Sequence, residues 1–290
     1  MPDKWFISDS HLASGGKEDD FVPNLEGFRC FLADYLKAGD ILVIIGDGAD
    51  VKPTGQACAT AIGVANADIL GHILRRVSRL VWVLGNHDCF SPAVMTVLET
   101  AAIKSGCQDT FKRALAEGRI YTTGSYYTDG FYMIHGHQVD PIISRHPVLA
   151  AIVTRVGGWI ERMFWPDVDV WFEKVEKWVQ RIGRHGTPVE YFPAMLGYVK
   201  ENLVDSTTVF YGFLFGHTHS YKNDVMEGKT IVNTGSWVGK GEHPVFQMTE
   251  DGRQLAALVF SDGKMIRREI LWTVNCPSLE GGGVSAPEHL

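Results

Sequence analysis

Residues 41–50 read ILVIIGDGAD. Five consecutive branched or aliphatic residues with no polar alternation read as a strand buried on both faces, the pattern of a parallel sheet covered by helices. The run then ends abruptly in Gly46 and Asp47, with Asp50 three residues on. A strand that delivers a carboxylate at its carboxyl end places it where open α/β sheets form their ligand crevice.

The same figure recurs along the chain. WFIS (5–8) runs into Asp9 and His11, and LVWVLG (80–85) into Asn86, His87 and Asp88. The strand at 131–134 ends in His135-Gly136-His137, and FLFG (213–216) ends in His217-Thr218-His219. A turn accounts for any one of these endings. Five of them after apolar runs imply convergence on one site.

Between the strands the periodicity changes to that of helices. Phe28, Phe31, Leu32, Tyr35 and Leu36 share a face over 25–39, with Gly39 as the expected stop. Residues 59–78 read as a second helix and 92–104 as a third. This alternation predicts βαβ units, an α/β (α+β) core. The last third is strand-rich: VFYGFLFG, KTIVNTG, PVFQMT, QLAALVFS and MIRREILW are separated by turns such as Glu250-Asp251-Gly252. Residues 141–205 differ in character. Trp171, Val175, Trp178, Val179 and Ile182 fall on one helical face opposite Glu173, Lys174, Glu176, Lys177 and Arg181. This segment is read as a helical cap inserted into the core. The expected organisation is a core at 1–140 and 206–275, the cap at 141–205, and a Gly/Ser/Pro-rich tail at 276–290.

Bulk properties narrow the function. The 290-residue chain carries a net charge of −7, which argues against a broad nucleic-acid footprint. An anionic substrate held through metal ions remains open, because bound cations dominate the local field. The five cysteines are widely spaced without a CxxC pair, so neither a disulfide framework nor a thiolate zinc site is expected. No secretory pattern or long apolar run is present in this chain, and a reducing, cytoplasmic setting is expected.

The convergent set is Asp9, His11, Asp47, Asn86, His135, His217 and His219. Oxygen and nitrogen donors without thiolate suit first-row ions such as Mn, Fe, Co, Ni or Zn. Seven donors exceed one tetrahedral ion and suit two ions sharing a carboxylate, the clamp used for phosphoryl transfer.

In order, D-x-H, GDxxD, GNHD, H-G-H and GHTH resemble the calcineurin-like metallophosphoesterase superfamily, from residue 5 to about NTGSW (233–237), apart from the insert. The resemblance implies a four-layer αββα sandwich and a phosphoesterase acting through two divalent ions, Mn foremost. It assigns Asp9, His11, Asp47 and His219 to one ion and Asp47, Asn86, His135 and His217 to the other, with Asp47 bridging. A hydroxide between the ions would attack phosphorus in line, cleaving a phosphodiester or pyrophosphate. His87 would face the substrate and protonate the leaving oxygen, and Asp88 would orient it. Asp50 and His137 would stand behind the ligands.

Within the superfamily, SDSHL, GNHD, HGH and the insert before GHTH resemble the UDP-2,3-diacylglucosamine pyrophosphohydrolases, many of which carry Arg where this chain has His87. That narrower likeness implies an amphipathic, lipid-linked or nucleotide-sugar substrate and membrane contact through the cap. Cyclic-nucleotide phosphodiesterase, phosphomonoesterase or protein phosphatase activity is the alternative, and a scaffold without catalysis a remoter one.

Overall fold

A computed structural model describes residues 2–15, 19–51, 56–88, 90–139, 191–205, 207–239 and 241–274. Strands β1 (Lys4–Ile7), β2 (Ile41–Ile45), β3 (Arg79–Val83) and β4 (Ile120–Thr123) lie parallel. Three antiparallel strands extend this sheet beyond β1: β10 (His243–Met248), β11 (Gln254–Ser261) and β12 (Lys264–Thr273). The order is β12-β11-β10-β1-β2-β3-β4. The second sheet runs β5-β6-β7-β9-β8, from Tyr126–Thr128 (β5), Phe131–Met133 (β6), Gly212–Phe215 (β7), Lys229–Thr234 (β9) and Tyr221–Met226 (β8). β6, β7 and β9 are parallel in it.

Six α-helices complete the described chain: α1 (Leu25–Cys30), α2 (Gln56–Ala65), α3 (Ala67–Arg76), α4 (Ser91–Lys104), α5 (Gln108–Ala116) and α6 (Tyr191–Asn202). Strand alternation sorts the apolar side chains into three cores. Trp5, Ile7, Leu42, Ile44, Leu80 and Trp82 face helices α1–α5. Phe6, Val43, Val81 and Val83 turn the other way and meet Phe131, Met133, Leu214 and Val232 between the sheets. Tyr132, Phe213, Phe215 and Ile231 then face Phe192, Met195, Leu196 and Val199 of α6. Three cores separate four layers, the αββα sandwich expected from the sequence.

Several local expectations are corrected. The helix expected over 25–39 is α1 followed by a π turn at Phe31–Tyr35, and it stops at Leu36, whose backbone is extended, rather than at Gly39. The helix expected over 59–78 is two helices. They break at Asn66, whose side-chain amide donates to the Ala13 and Ile62 carbonyls and so ties the break to the loop after β1. α5, β5 and β8 were not anticipated. β8 reads YKNDVM and is largely exposed as an edge strand, so it carries no apolar run to betray it. Of the segment read as a cap, the described part includes α6, which packs on the second sheet as the outer layer of the sandwich; residues 140–190, including the tryptophan face, and the tail lie outside the described residues. No helix among the described residues is long and apolar enough to cross a membrane.

Candidate metal centre

Parallel pairing brings the carboxyl ends of β1, β2 and β3 side by side, and the segments beyond them stay joined. Asp9 N–H donates to Gly46 O (3.1 Å), His11 N–H to Asp47 O (2.9 Å) and Leu12 N–H to Gly48 O (3.0 Å). From the second sheet, His217 N–H points at both Asp9 carboxylate oxygens (3.2 Å each), linking the sheets at the site. Gly216 makes this approach feasible: a Cβ there would stand 2.0 Å from Asp9 Oδ2. Gly85 does the same for the neighbouring carboxylate, since its Cβ would lie 2.1 Å from Asp47 Oδ1.

The backbone here is strained. Eight non-glycine residues among those described have positive φ, and five are Asp9 (48°), His11 (43°), Asp47 (46°), His217 (73°) and His219 (55°). Each such residue costs about 1–3 kcal/mol and persists only where its surroundings hold it, which marks functional positions.

Six of the seven expected ligands form two groups. Asp9, His11 and His219 offer donors within 4.8 Å of one another, and so do Asp47, His135 and His217. In the first group His11 Nε2 and His219 Nε2 are 3.2 Å apart, and His219 Nε2 is 3.3 Å from Asp9 Oδ1. In the second, His135 Nε2 lies 3.0 Å from Asp47 Oδ2 and 3.1 Å from Asn86 Oδ1, which brings the seventh residue to the same place. The same Asp47 Oδ2 lies 3.9 Å from His11 Nε2, so one carboxylate oxygen faces both groups.

Charge in the site is unbalanced in a way that fits cations. Asp9 (0% exposed) and Asp47 (1%) are buried carboxylates, and among the described residues their ion-pair partners are histidines. Burial favours the neutral acid at both, but it is outweighed, by the His135 charge first, and both stay below the usual carboxylate range. His135 shows the reverse: burial disfavours its cation, yet Asp47 and Asp9 raise it to about 9. Burial lowers His11 to about 4, leaving a neutral imidazole ready to ligate. An oxygen–nitrogen donor set built on two buried carboxylates fits divalent first-row ions.

The expected partnership of His87 is corrected. Asp88 does not orient it. The Asp88 carboxylate is fully buried and accepts from Gly85 N–H (2.8 Å) and Ala49 N–H (3.1 Å), fixing the turns after β3 and β2. Burial, then the neighbouring Asp47, pushes Asp88 up to about 7. His87 Nδ1 instead pairs with Asp50 Oδ1 at 2.9 Å, and its backbone N–H donates to Asp47 Oδ1 at 2.6 Å. The sequence carried a signal for this in the second aspartate of GDGAD, three residues from the carboxylate facing both groups. The ring of His137 lies 5.4 Å from that of His135.

Other supports were missed. Trp237 N–H donates to Asp9 O (3.0 Å), and Asn24 Nδ2 holds Trp237 O (2.7 Å) and Gly239 O (2.9 Å). NTGSW was the signal for Trp237; nothing in sequence singled out Asn24.

Among solved structures, the chain resembles a Vps29 mutant from Entamoeba histolytica (13% identity, 92% of this chain and 98% of that one, TM-score 0.43). It also resembles the phosphoesterase YfcE from E. coli (14%, 93% and 99%, TM-score 0.38). A third likeness is to an archaeal phosphodiesterase (11%, 89% and 99%, TM-score 0.41). No curated protein matches the chain. The sequence model of the calcineurin-like phosphoesterases matches residues 4–221, a span that takes in every strand end from Asp9 to His219. On that match the chain belongs to the calcineurin-like phosphoesterase family.

Proposed function

We propose that this protein hydrolyses a phosphodiester or pyrophosphate bond through two divalent metal ions, Mn being the first choice. The observation that carries the reading is the pair of donor groups, Asp9–His11–His219 and Asp47–His135–His217, meeting at Asp47. Asp9, His11, Asp47 and His219 would hold one ion, and Asp47, Asn86, His135 and His217 the other. When bound, such a pair supplies a nucleophile from water at neutral pH and neutralises charge on the phosphoryl oxygens.

The remaining work falls to the chain's own groups. His87 Nδ1–H donates to Asp50 Oδ1, which fixes the ring and leaves Nε2 for the substrate. Asp50 stays ionised: burial opposes this, but the hydrogen bond and charge of His87 outweigh it. A proton held on His87 Nε2 is delivered to the leaving oxygen. The strained, cross-linked loops keep the donors in place without reorganisation during the reaction.

The test is a substrate panel with Mn-loaded protein: an aryl phosphodiester, an aryl monoester, a cyclic nucleotide and a UDP-linked sugar. Hydrolysis of the diester or the UDP-sugar, lost in Asp47→Asn, is expected. Preference for the cyclic nucleotide or monoester would move the substrate class. A metal-replete protein that cleaves none of the four would point to an interaction scaffold instead. The lipid-linked substrate suggested by the cap depends on residues 140–190, outside the described ones.

A further inference from the structure

Besides the two donor groups assigned above, a third lies at the rim: His11, Asp50 and His87 offer one ligand atom each within 4.8 Å of one another. We propose that a third divalent cation binds there and inhibits the enzyme by capturing the imidazole that faces the substrate.

Three observations carry this. First, His87 Nδ1 and Asp50 Oδ1 are 2.9 Å apart. Two donors about 2.1 Å from one ion are about 3 Å apart at a right angle and about 3.4 Å at the tetrahedral angle, so this pair stands within about half an ångström of one edge of a coordination shell. Second, the pair is open to solvent, with side-chain exposures of 29% for His87 and 37% for Asp50, whereas His135 and Asp47 are buried. An ion from solution can therefore reach this pair and complete its shell with water. Third, the His11 ring packs edge-on against His87 with centroids 4.7 Å apart, and against His219 at 5.0 Å. His11 thus stands between the outer and inner sets, and an outer ion that draws on it also loosens the inner Asp9–His11–His219 group.

The outer set has one carboxylate and two imidazoles, without a bridging carboxylate or buried surroundings. It should bind more weakly than the inner pair, so occupancy follows metal excess. The chemistry favours an ion at ease with nitrogen donors, Zn above Mn. Activity would rise as the inner sites fill and fall as the outer one does. An ion on Asp50 Oδ1 and His87 Nδ1 displaces the Nδ1 proton to solvent and breaks their hydrogen bond, so the ring loses its orienting anion and the proton left on Nε2 belongs to a far weaker acid.

This inference rests on the assignment of the inner ligands, and the experiment separates the two. Metal-stripped full-length protein is titrated calorimetrically with Zn chloride and with Mn chloride, and hydrolysis is followed over the same range. Wild type should show two tight steps and a weaker third, tighter for Zn, with inhibition tracking the third. Asp50→Asn and His87→Gln should each weaken the third step at least tenfold while keeping the two tight ones, whose persistence also shows that the variants are folded. Absence of a third step in wild type overturns the proposal, as does a third step unchanged in both variants. Absence of the tight steps would instead overturn the inner assignment.

Discussion

Asp50 and Asp88 are two aspartates of the same neighbourhood with different tasks, and substitution separates them. Asp50→Asn leaves the turns intact but removes the anion that orients His87; turnover should fall roughly tenfold to a hundredfold with little change in melting temperature. Asp88→Asn does the opposite. Its amide cannot accept from both Gly85 and Ala49, so one buried N–H is orphaned at about 1–3 kcal/mol, read as a lower denaturant midpoint. If Asp50→Asn destabilises as much as Asp88→Asn, the division of roles fails. Gly216→Ala is a third probe of this kind. Its methyl would collide with Asp9 Oδ2, so metal affinity should fall sharply, while Gly197→Ala in α6, which meets nothing within 4 Å, should leave it unchanged. Equal metal affinity in the two variants would show that Asp9 moves aside at no cost.

At the scale of the elements, β1 to β3 were legible because burial on both faces writes an unbroken apolar run, and the polar residue that ends it is conspicuous. β8 and β5 were not, since a short or exposed edge strand has no such run. The break between α2 and α3 was hidden for another reason: the apolar periodicity continues across it, and what stops the helix is a hydrogen bond from Asn66 to a loop more than fifty residues away. The same logic hid the pairing of His87. The family resemblance assigned Asp88, and only the packing of the loop after β2 against that after β3 brings Asp50 across. Burial on both faces also makes a quantitative claim. Phe6 is fully buried between the sheets, paired across the strands with Phe246 and three residues before Asp9. Phe6→Ala should cost about 3–5 kcal/mol in urea denaturation. Ile266 on the edge strand β12 is 54% exposed, and Ile266→Lys should fall within about 0.5 kcal/mol of wild type. Similar losses at the two positions would mean that the second sheet does not cover the first as described.

For the molecule as a whole, the centre ties folding to metal and to pH. Ions that bind the folded chain alone stabilise it, by about 2.7 kcal/mol per site at a hundredfold excess over Kd. The sign of the pH effect follows from His135. Its folded pKa, about 9, lies above the 6.5 of an ordinary histidine, so in metal-free protein its protonation adds stability that is complete below about 6.5 and is lost as pH rises through 9. Asp9 and Asp47 are shifted down, and their contribution is lost only on the acid side, as pH falls below the usual carboxylate range. Metal reverses the alkaline trend. His135 must be neutral to ligate, so protons compete with the ion and affinity increases with pH over the same interval. Chelated protein should therefore melt at progressively lower temperature from pH 6.5 to 9, while Mn-loaded protein holds or gains. The gap between their melting temperatures should widen across that window in wild type, and in His135→Gln, which keeps the Asp9, His11 and His219 donors, it should be smaller and widen less. A gap that stays constant with pH in wild type, or that widens equally in the variant, would mean that the proton on His135 and the ion do not share one place in the fold.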